Sequence, residues 1–391
     1  MGRKAILLLS ILLLAATLAG CTSYPTLDAV MGTLPGSIPT EPVTEVSTVV
    51  TEPTEPPTEE PLPPPTSAYS GSGFFESDTG TTLVLRLEWQ AEQNKSLHQI
   101  DMKVKVFLEY LGELTLTPSK ENTLTVGDEQ FTFKTKAKYP ESAEPVLLIE
   151  KKVSLPREDC ADLNVRMVAK VYSDNVYEEY SFSSITAQGN LIISDKYASL
   201  KKKAEIDVDL IKQHPELPNG CEVTSLAMAL NYYGYKIGKM ELKEGYLPIG
   251  TENIYEYNIG DPAERKNSYG CYSPVIKRTA DAFYADKGIK RTATDLTHCN
   301  IEELYYQVSQ GEPVIVWATL YMDKRPYNII SWKIDGHVFN WKVPLHCMLL
   351  TGYDMKEGTV TLTDPIFGVV THDKTLFETR WHQMGEQAVI A

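Results

Sequence analysis

Residues 217–234 read LPNGCEVTSLAMALNYYG, and the reading of the C-terminal half turns on them. Pro218, Asn219 and Gly220 have the composition of a turn. From Cys221 the pattern becomes helical: Val223, Leu226, Ala227, Leu230 and Tyr233 recur at spacings of three and four, as one apolar stripe does. Gly234 then supplies a stop. Cys221 therefore falls in a first helical turn, where unpaired amide N–H groups and the helix dipole favour negative charge. A thiol placed there is expected to lose its proton more readily, and the thiolate is the nucleophilic form. Gly220 leaves the approach to the sulfur uncrowded.

A nucleophile needs a base within reach and a third group to orient that base. The last fifty or so residues offer both. VPLHCMLLTGYD (343–354) reads as a strand with His346 near its start, and TVTLTDPIFG (359–368) as the returning strand, with Asp364 and Pro365 at its end. A hairpin of this kind brings His346 and Asp364 near one another across neighbouring strands. His346 would be general base and then general acid, and Asp364 would fix its tautomer. Spacing alone leaves this open, since a single histidine in a strand is commonly a satisfied polar residue. His337, nine positions earlier in DGHVFNW, is a competing base.

The run QHPELPNGCEVTSLAMALNYYG, followed by PLHCMLLTGYD and TDPIFG, resembles the bacterial papain-like cysteine peptidases of the C39-like group. These are relatives of the peptidases that cut bacteriocin leaders after a double glycine. The likeness extends from about Val208 to the C-terminus and takes in GCYSPVIKRTADAF, GEPVIVWATLYM and FETRWHQMGEQAVIA. The resemblance implies that Cys221 is the nucleophile, His346 the base and Asp364 the third member. It also implies that Gln213 donates to an oxyanion hole, a role its amide N–H suits beside the Cys221 backbone N–H. There is no ATPase Walker motif and no transmembrane bundle, so cleavage after double glycine is not carried over with the resemblance.

The remaining cysteines of this half are Cys271, Cys299 and Cys347. A Cys271–Cys299 disulfide is conceivable in an exported protein. Cys347 follows His346 directly, points to the other strand face and reads as packing. A zinc site from Cys221, His346 and Cys347 is disfavoured, because adjacent strand positions ligate poorly together and no paired-ligand spacing exists. No metal and no cofactor are expected. Glu222, beside the sulfur, either lines the cleft or simply favours the helix start.

Upstream, residues 73–200 alternate with period two. Leu83, Leu85, Leu87 and Trp89 share one face, as do Met102, Val104, Val106 and Leu108, and Leu163, Val165, Met167, Ala169 and Val171. That is the pattern of half-buried antiparallel strands, and turn-rich breaks between them point to a β-sandwich, immunoglobulin-like in kind. No site chemistry is evident there, and Cys160 reads as a small buried or loop residue. A spacer or binding module is expected.

Residues 22–72 are rich in Thr, Glu, Pro and Ser, and from Tyr24 to Gly71 there is no Lys or Arg. Such a segment cannot bury enough apolar surface to order itself, so it is expected to be a disordered linker. Extended, it would reach on the order of 100 Å or more. It suits a cell-wall tether, or equally a glycosylated stalk. Ahead of it, Arg3 and Lys4 precede an apolar run that ends at Leu18-Ala19-Gly20-Cys21. This looks like a lipoprotein signal with a lipobox, implying lipid attachment at Cys21, although a plain signal peptide would share most of these features. The apolar run is short of the ~20 residues a comfortable span needs.

The net charge is −15, and Asp28, Glu41, Glu45, Glu52, Glu55, Glu59 and Glu60 account for part of it in the linker. The acidic remainder argues against nucleic acid as a partner. The sequence thus leads to an α+β chain with a papain-like domain over 205–391, preceded by a β-sandwich, a linker and a signal over 1–21. Its expected activity is extracellular peptide hydrolysis at the membrane face, with a peptide or protein as substrate and the cell wall as a further partner. A silent papain-like domain that binds peptide or wall ligands, and a peptidoglycan hydrolase, are the alternatives.

Overall fold

The computed structural model describes residues 68–77, 83–94, 98–158, 161–174, 183–322, 325–334 and 337–391, with the backbone alone at Ile329–Ile334 and His337–Asn340. All of these belong to one unit, Pro61–Ala391. The signal and lipobox with Cys21, nearly all of the linker, and Cys160 lie outside the described residues.

Two apolar cores divide the unit. The front module is built from antiparallel strands in two four-stranded sheets. One sheet orders Ser70–Glu76, Val84–Asn94, Gln99–Glu109 and Val146–Pro156; the other orders Ser184–Ile193, Leu163–Tyr172, Asn122–Val126 and Glu129–Phe133. The alternation read from sequence sets the faces. Leu85, Leu87, Trp89, Met102, Val104, Val106, Val165, Met167 and Ala169 are buried in a shared core, whereas Arg86 and Glu88 stay at the surface. Burying a side chain of the Val or Leu kind contributes about 1.5–3 kcal/mol, so the alternation itself carries the stability of these strands. Leu163 is only half-buried, because it opens its strand.

The rear module is mixed α/β. Its sheet runs, in order, Thr294–Asp295, Ala388–Ile390, Val314–Thr319, Leu345–Asp354, Thr359–Asp364 and Gly368–Asp373, with Lys203–Glu205 paired to the far end of Leu345–Asp354. All of its pairings are antiparallel. Six helices are present among the described residues: α1 Asp195–Ala198, α2 Cys221–Tyr232, α3 Lys239–Gly245, α4 Ser273–Asp286, α5 Ile301–Ser309 and α6 Lys374–Gln383. Helix α2 lies against the Leu345–Asp354 strand, and every residue from Cys221 to Leu230 is buried. The sequence pattern predicts one apolar stripe; the helix is instead enclosed all round, and Glu222, Thr224 and Ser225 are buried with it. No helix among the described residues is long and apolar enough to cross a membrane.

The modules are joined at α1 and α5. Asn300, which caps α5, exchanges hydrogen bonds with both the N–H and the carbonyl of Ile192. The Tyr197 hydroxyl donates to Glu303 Oε2 at 2.7 Å, and Arg325 pairs with Glu76 at 2.8 Å.

Candidate active site

The central hairpin positions the histidine. Leu349 pairs with Thr363, so in register Asp364 stands opposite Met348 and diagonal to His346 on the same face of the sheet. Diagonal neighbours lie about 7 Å apart at the backbone, a gap that two long side chains close. They do so here: His346 Nε2 and Asp364 Oδ2 are 2.9 Å apart, both residues 2 % exposed. Asp364 Oδ1 is occupied separately, accepting the Ile366 and Phe367 N–H groups at 2.6 and 3.0 Å. That turn fixes the carboxylate and leaves Oδ2 to the imidazole. Burial works to raise the Asp364 pKa, but the hydrogen bond and charge of His346 and the two amides outweigh it, and the carboxyl sits below its ordinary range. With Nε2 engaged, Nδ1 is the ring nitrogen that faces away from Asp364.

Helix α2 brings the sulfur to the same strand. Gly220 precedes the helix, and Cys221 is its first residue. A Cβ on Gly220 would stand 2.7 Å from the Leu217 Cβ, so glycine is required for the turn to pack against Leu217. One turn along, the Ser225 hydroxyl donates to the Cys347 carbonyl at 3.3 Å, which pins this face of α2 to the residue after His346. The Cys347 backbone amide in turn works to lower the Cys221 pKa. Cys347 thus faces α2 through its backbone carbonyl, while its own side chain is buried.

The charge state of the sulfur differs from the sequence expectation. Burial pushes the Cys221 thiol well above its usual pKa, the Glu222 carboxylate pushes it further, and the Cys347 amide only partly opposes them. Cys221 is 7 % exposed, and its thiol donates to Glu222 Oε2 at 3.3 Å. The pull of a helix start, equivalent to roughly half a charge, is outweighed by a full carboxylate in contact and by the loss of water.

Gln213 is buried on the other side of the turn. Its backbone N–H donates to the Pro365 carbonyl at 2.9 Å, tying it to the end of the Asp364 strand. Its side-chain Nε2 donates to the Pro218 carbonyl at 2.9 Å, which leaves its second N–H available. Lys239 of α3 clamps this segment, donating to the Gln213 carbonyl at 2.9 Å and pairing with Glu216 at 2.7 Å. Nothing in the local sequence marks Lys239 for that task, because its partners lie more than twenty residues away.

Other sequence candidates fall elsewhere. His337 opens a strand, His337–Val343, in a separate two-stranded ribbon with Tyr327–Ile334, and its side chain lies outside the described residues. Cys271 and Cys299 are both free thiols. Cys271 is buried beside Glu222, whereas Cys299 lines a cavity of about 470 Å³ at the junction with the front module. That cavity includes none of Cys221, His346 or Asp364. Among the described residues no cluster of three or more His, Cys, Asp or Glu is arranged to hold a metal.

Exposed apolar side chains rim the histidine. The Phe367 ring lies 6.5 Å from the His346 ring and 4.9 Å from the Tyr321 ring, centre to centre. Tyr321 and Phe367 are 61 % and 42 % exposed, and Val369, two residues on from Phe367, is 63 % exposed. A buried His–Asp pair and a buried thiol at a helix start thus lie on elements packed against each other, with exposed aromatic side chains beside the histidine.

Residues 205–389 match the Peptidase_C39 like family. The uncharacterized protein YvpB of Bacillus subtilis is 34% identical over 215 residues, a stretch that covers 50% of this chain and 81% of that one. The chain belongs to this family. A solved chain described as a C39-like peptidase from Bacillus anthracis is 30% identical, with 48% of this chain and 96% of that chain covered and a TM-score of 0.43. Xylellain, a cysteine protease from Xylella fastidiosa, is 15% identical, with 50% and 87% covered and a TM-score of 0.30. The family match covers the rear module and stops short of the front one.

Proposed function

We propose that the chain is a cysteine peptidase that hydrolyses peptide bonds through an acyl-enzyme on Cys221. The observation that carries this reading is the buried His346–Asp364 pair at 2.9 Å, on the strand whose next residue accepts the Ser225 hydroxyl of α2, one turn on from Cys221. In the first step His346 Nδ1 takes the thiol proton as the sulfur attacks the peptide carbonyl carbon. The developing oxyanion is held by the Cys221 backbone N–H and the second Gln213 N–H. The C–N bond then breaks, the imidazolium gives its proton to the leaving amine, and a thioester remains. Water, deprotonated by His346, hydrolyses the thioester and restores the thiol. Asp364 stays ionised throughout and stabilises the imidazolium that forms twice per turnover.

The thiol is held protonated at rest, so deprotonation belongs to the attack and is not stored beforehand. The same observation favours a second reading, a papain-like domain that binds peptides or wall fragments without turnover. A panel of peptides and muropeptides incubated with wild type and Cys221→Ala separates the readings. Cleavage of peptides by wild type alone is the expected result. Cleavage confined to muropeptides would make the chain a peptidoglycan hydrolase, and binding by both proteins without products would establish the silent domain.

The reading extends to the N-terminal half. Lipid attachment at Cys21 would put the peptidase on the outer face of the cell membrane, which the lipobox-like LAGC supports. The front module would be an immunoglobulin-like sandwich. In its support, strands Val84–Asn94, Gln99–Glu109 and Val146–Pro156 lie side by side, and the second sheet takes two strands from the chain between Glu109 and Val146 and two from beyond Pro156.

A further inference from the structure

Glu222 is a buried carboxyl, 1 % exposed, that among the described residues pairs with no Lys or Arg. Burying an ionisable group in this way is costly, and the reason has to be found in what it touches. Its Oε1 accepts the Cys271 N–H at 3.0 Å, and its Oε2 accepts the Cys221 thiol at 3.3 Å. The fold keeps room for it. Gly270 sits at φ +104, and a Cβ there would stand 2.0 Å from Glu222 Oε1. That backbone conformation is one that side-chain-bearing residues rarely adopt. A glycine and the amide after it, on a segment 49 residues along, are thus assembled around the carboxyl that holds the thiol.

The groups that face Glu222 come from every packed element. Cys221 is its neighbour on α2, Cys271 lies on the segment that leads into α4, and His346 and Cys347 lie on the central strand. Asp364 adds its charge at the sulfur, and Arg278 of α4 acts on Cys271. His346 is the cation that favours the Glu222 carboxylate, once protonated; burial opposes it and raises the Glu222 pKa.

We propose that Glu222 is a positioning residue for the nucleophile, gripping the Cys221 sulfur through its hydrogen and keeping that proton in place until His346 removes it. This rests on Cys221 being the nucleophile. Held this way, the thiol keeps its proton and is not lost to solvent electrophiles between turnovers. Deprotonation transfers the thiol proton to His346 and leaves the Glu222 oxygen facing a sulfur anion. That contact is repulsive, and it drives the sulfur off Glu222 and toward the substrate carbonyl.

The test needs no substrate. Iodoacetamide alkylation of Cys221 is followed by peptide mass spectrometry from pH 5 to 10 in wild type, Glu222→Gln and His346→Ala. The glutamine keeps an acceptor for the Cys271 N–H, and sets an NH2 donor where Oε2 accepted the thiol, so the charge and the grip on the proton go together. Its alkylation midpoint is expected to fall by about one pH unit or more, roughly a tenfold faster reaction below both midpoints. An unchanged midpoint in a protein that melts like wild type would overturn the proposal. Should the glutamine variant fail to fold, Glu222→Asp draws the charge back from the sulfur, and a smaller fall is expected; no fall overturns it equally. Hydrolysis is scored separately. A shifted midpoint in a protein without turnover would keep Glu222's role and end the peptidase reading, and turnover with no shift would do the opposite.

Discussion

The front and rear modules both bury polar side chains, yet they use them differently. In the front module buried polar groups serve the backbone at strand ends, and where they also meet side chains, as Arg157 meets Asp195 at 2.8 Å, the partner is no histidine or thiol. Ser77 accepts the Leu85 N–H at 2.8 Å, Asn122 accepts the Tyr172 N–H at 3.0 Å, and Arg157 donates to the Ala161 carbonyl at 2.9 Å. In the rear module His346 meets Asp364, Cys221 meets Glu222, and Ser273 meets Gln387, each side chain to side chain. Satisfying a strand end stabilises the fold and does nothing more. Pairing titratable groups with one another, out of water, sets their proton affinities against each other, and that is the material of acid–base chemistry.

The comparison breaks most visibly at the sulfur and the imidazole. Cys221→Ala and His346→Ala are expected to lower peptide hydrolysis by about 10⁴-fold or more, while the folded protein melts within a few degrees of wild type. Loss of folding with loss of activity would mean that the pair holds the module together. Next comes Gln213→Ala, which should lower kcat by about 10²- to 10³-fold, as removal of one oxyanion donor does, with KM little changed. A front-module change should reverse the pattern. Leu87→Ala removes a fully buried side chain and is expected to cost about 2–5 kcal/mol, read by denaturant unfolding, with the Cys221 alkylation profile unchanged.

The smallest effect lies in pH. Asp364 has a folded pKa below its ordinary value, so the stability it supplies is present above the unfolded pKa of about 3.9 and is lost as pH falls through the folded one. The melting temperatures of wild type and Asp364→Asn should therefore converge below about pH 4. For Cys221 the sign is opposite. Its folded pKa is raised, so its contribution is present below the unfolded pKa of about 8.5 and is lost as pH rises. Cys221→Ser should flatten the alkaline side of the stability curve.

Much of this arrangement is legible in the sequence because it depends on local patterns. Alternation in TTLVLRLEW places Leu85, Leu87 and Trp89 inside, and the turn before Cys221 marks a helix start. The hairpin that joins His346 to Asp364 needs only a strand, a turn and a return. Other features depend on contacts far along the chain. The burial of Glu222, its close approach to Gly270 and the clamp from Lys239 follow from packing between segments 26 to 49 residues apart. The direction of the thiol's proton affinity follows from that packing too. A helix start favours the thiolate, but whether it prevails depends on what α2 is enclosed by, and an apolar stripe does not reveal that the enclosure is complete.

The seam between the modules carries its own consequence. Asn300 grips the backbone of Ile192 from both sides, Tyr197 reaches Glu303, and Arg325 reaches Glu76. With these three fastenings on separate segments, any swivel of the front module against the rear one would have to break contacts at Ile192, Tyr197 and Glu76 together.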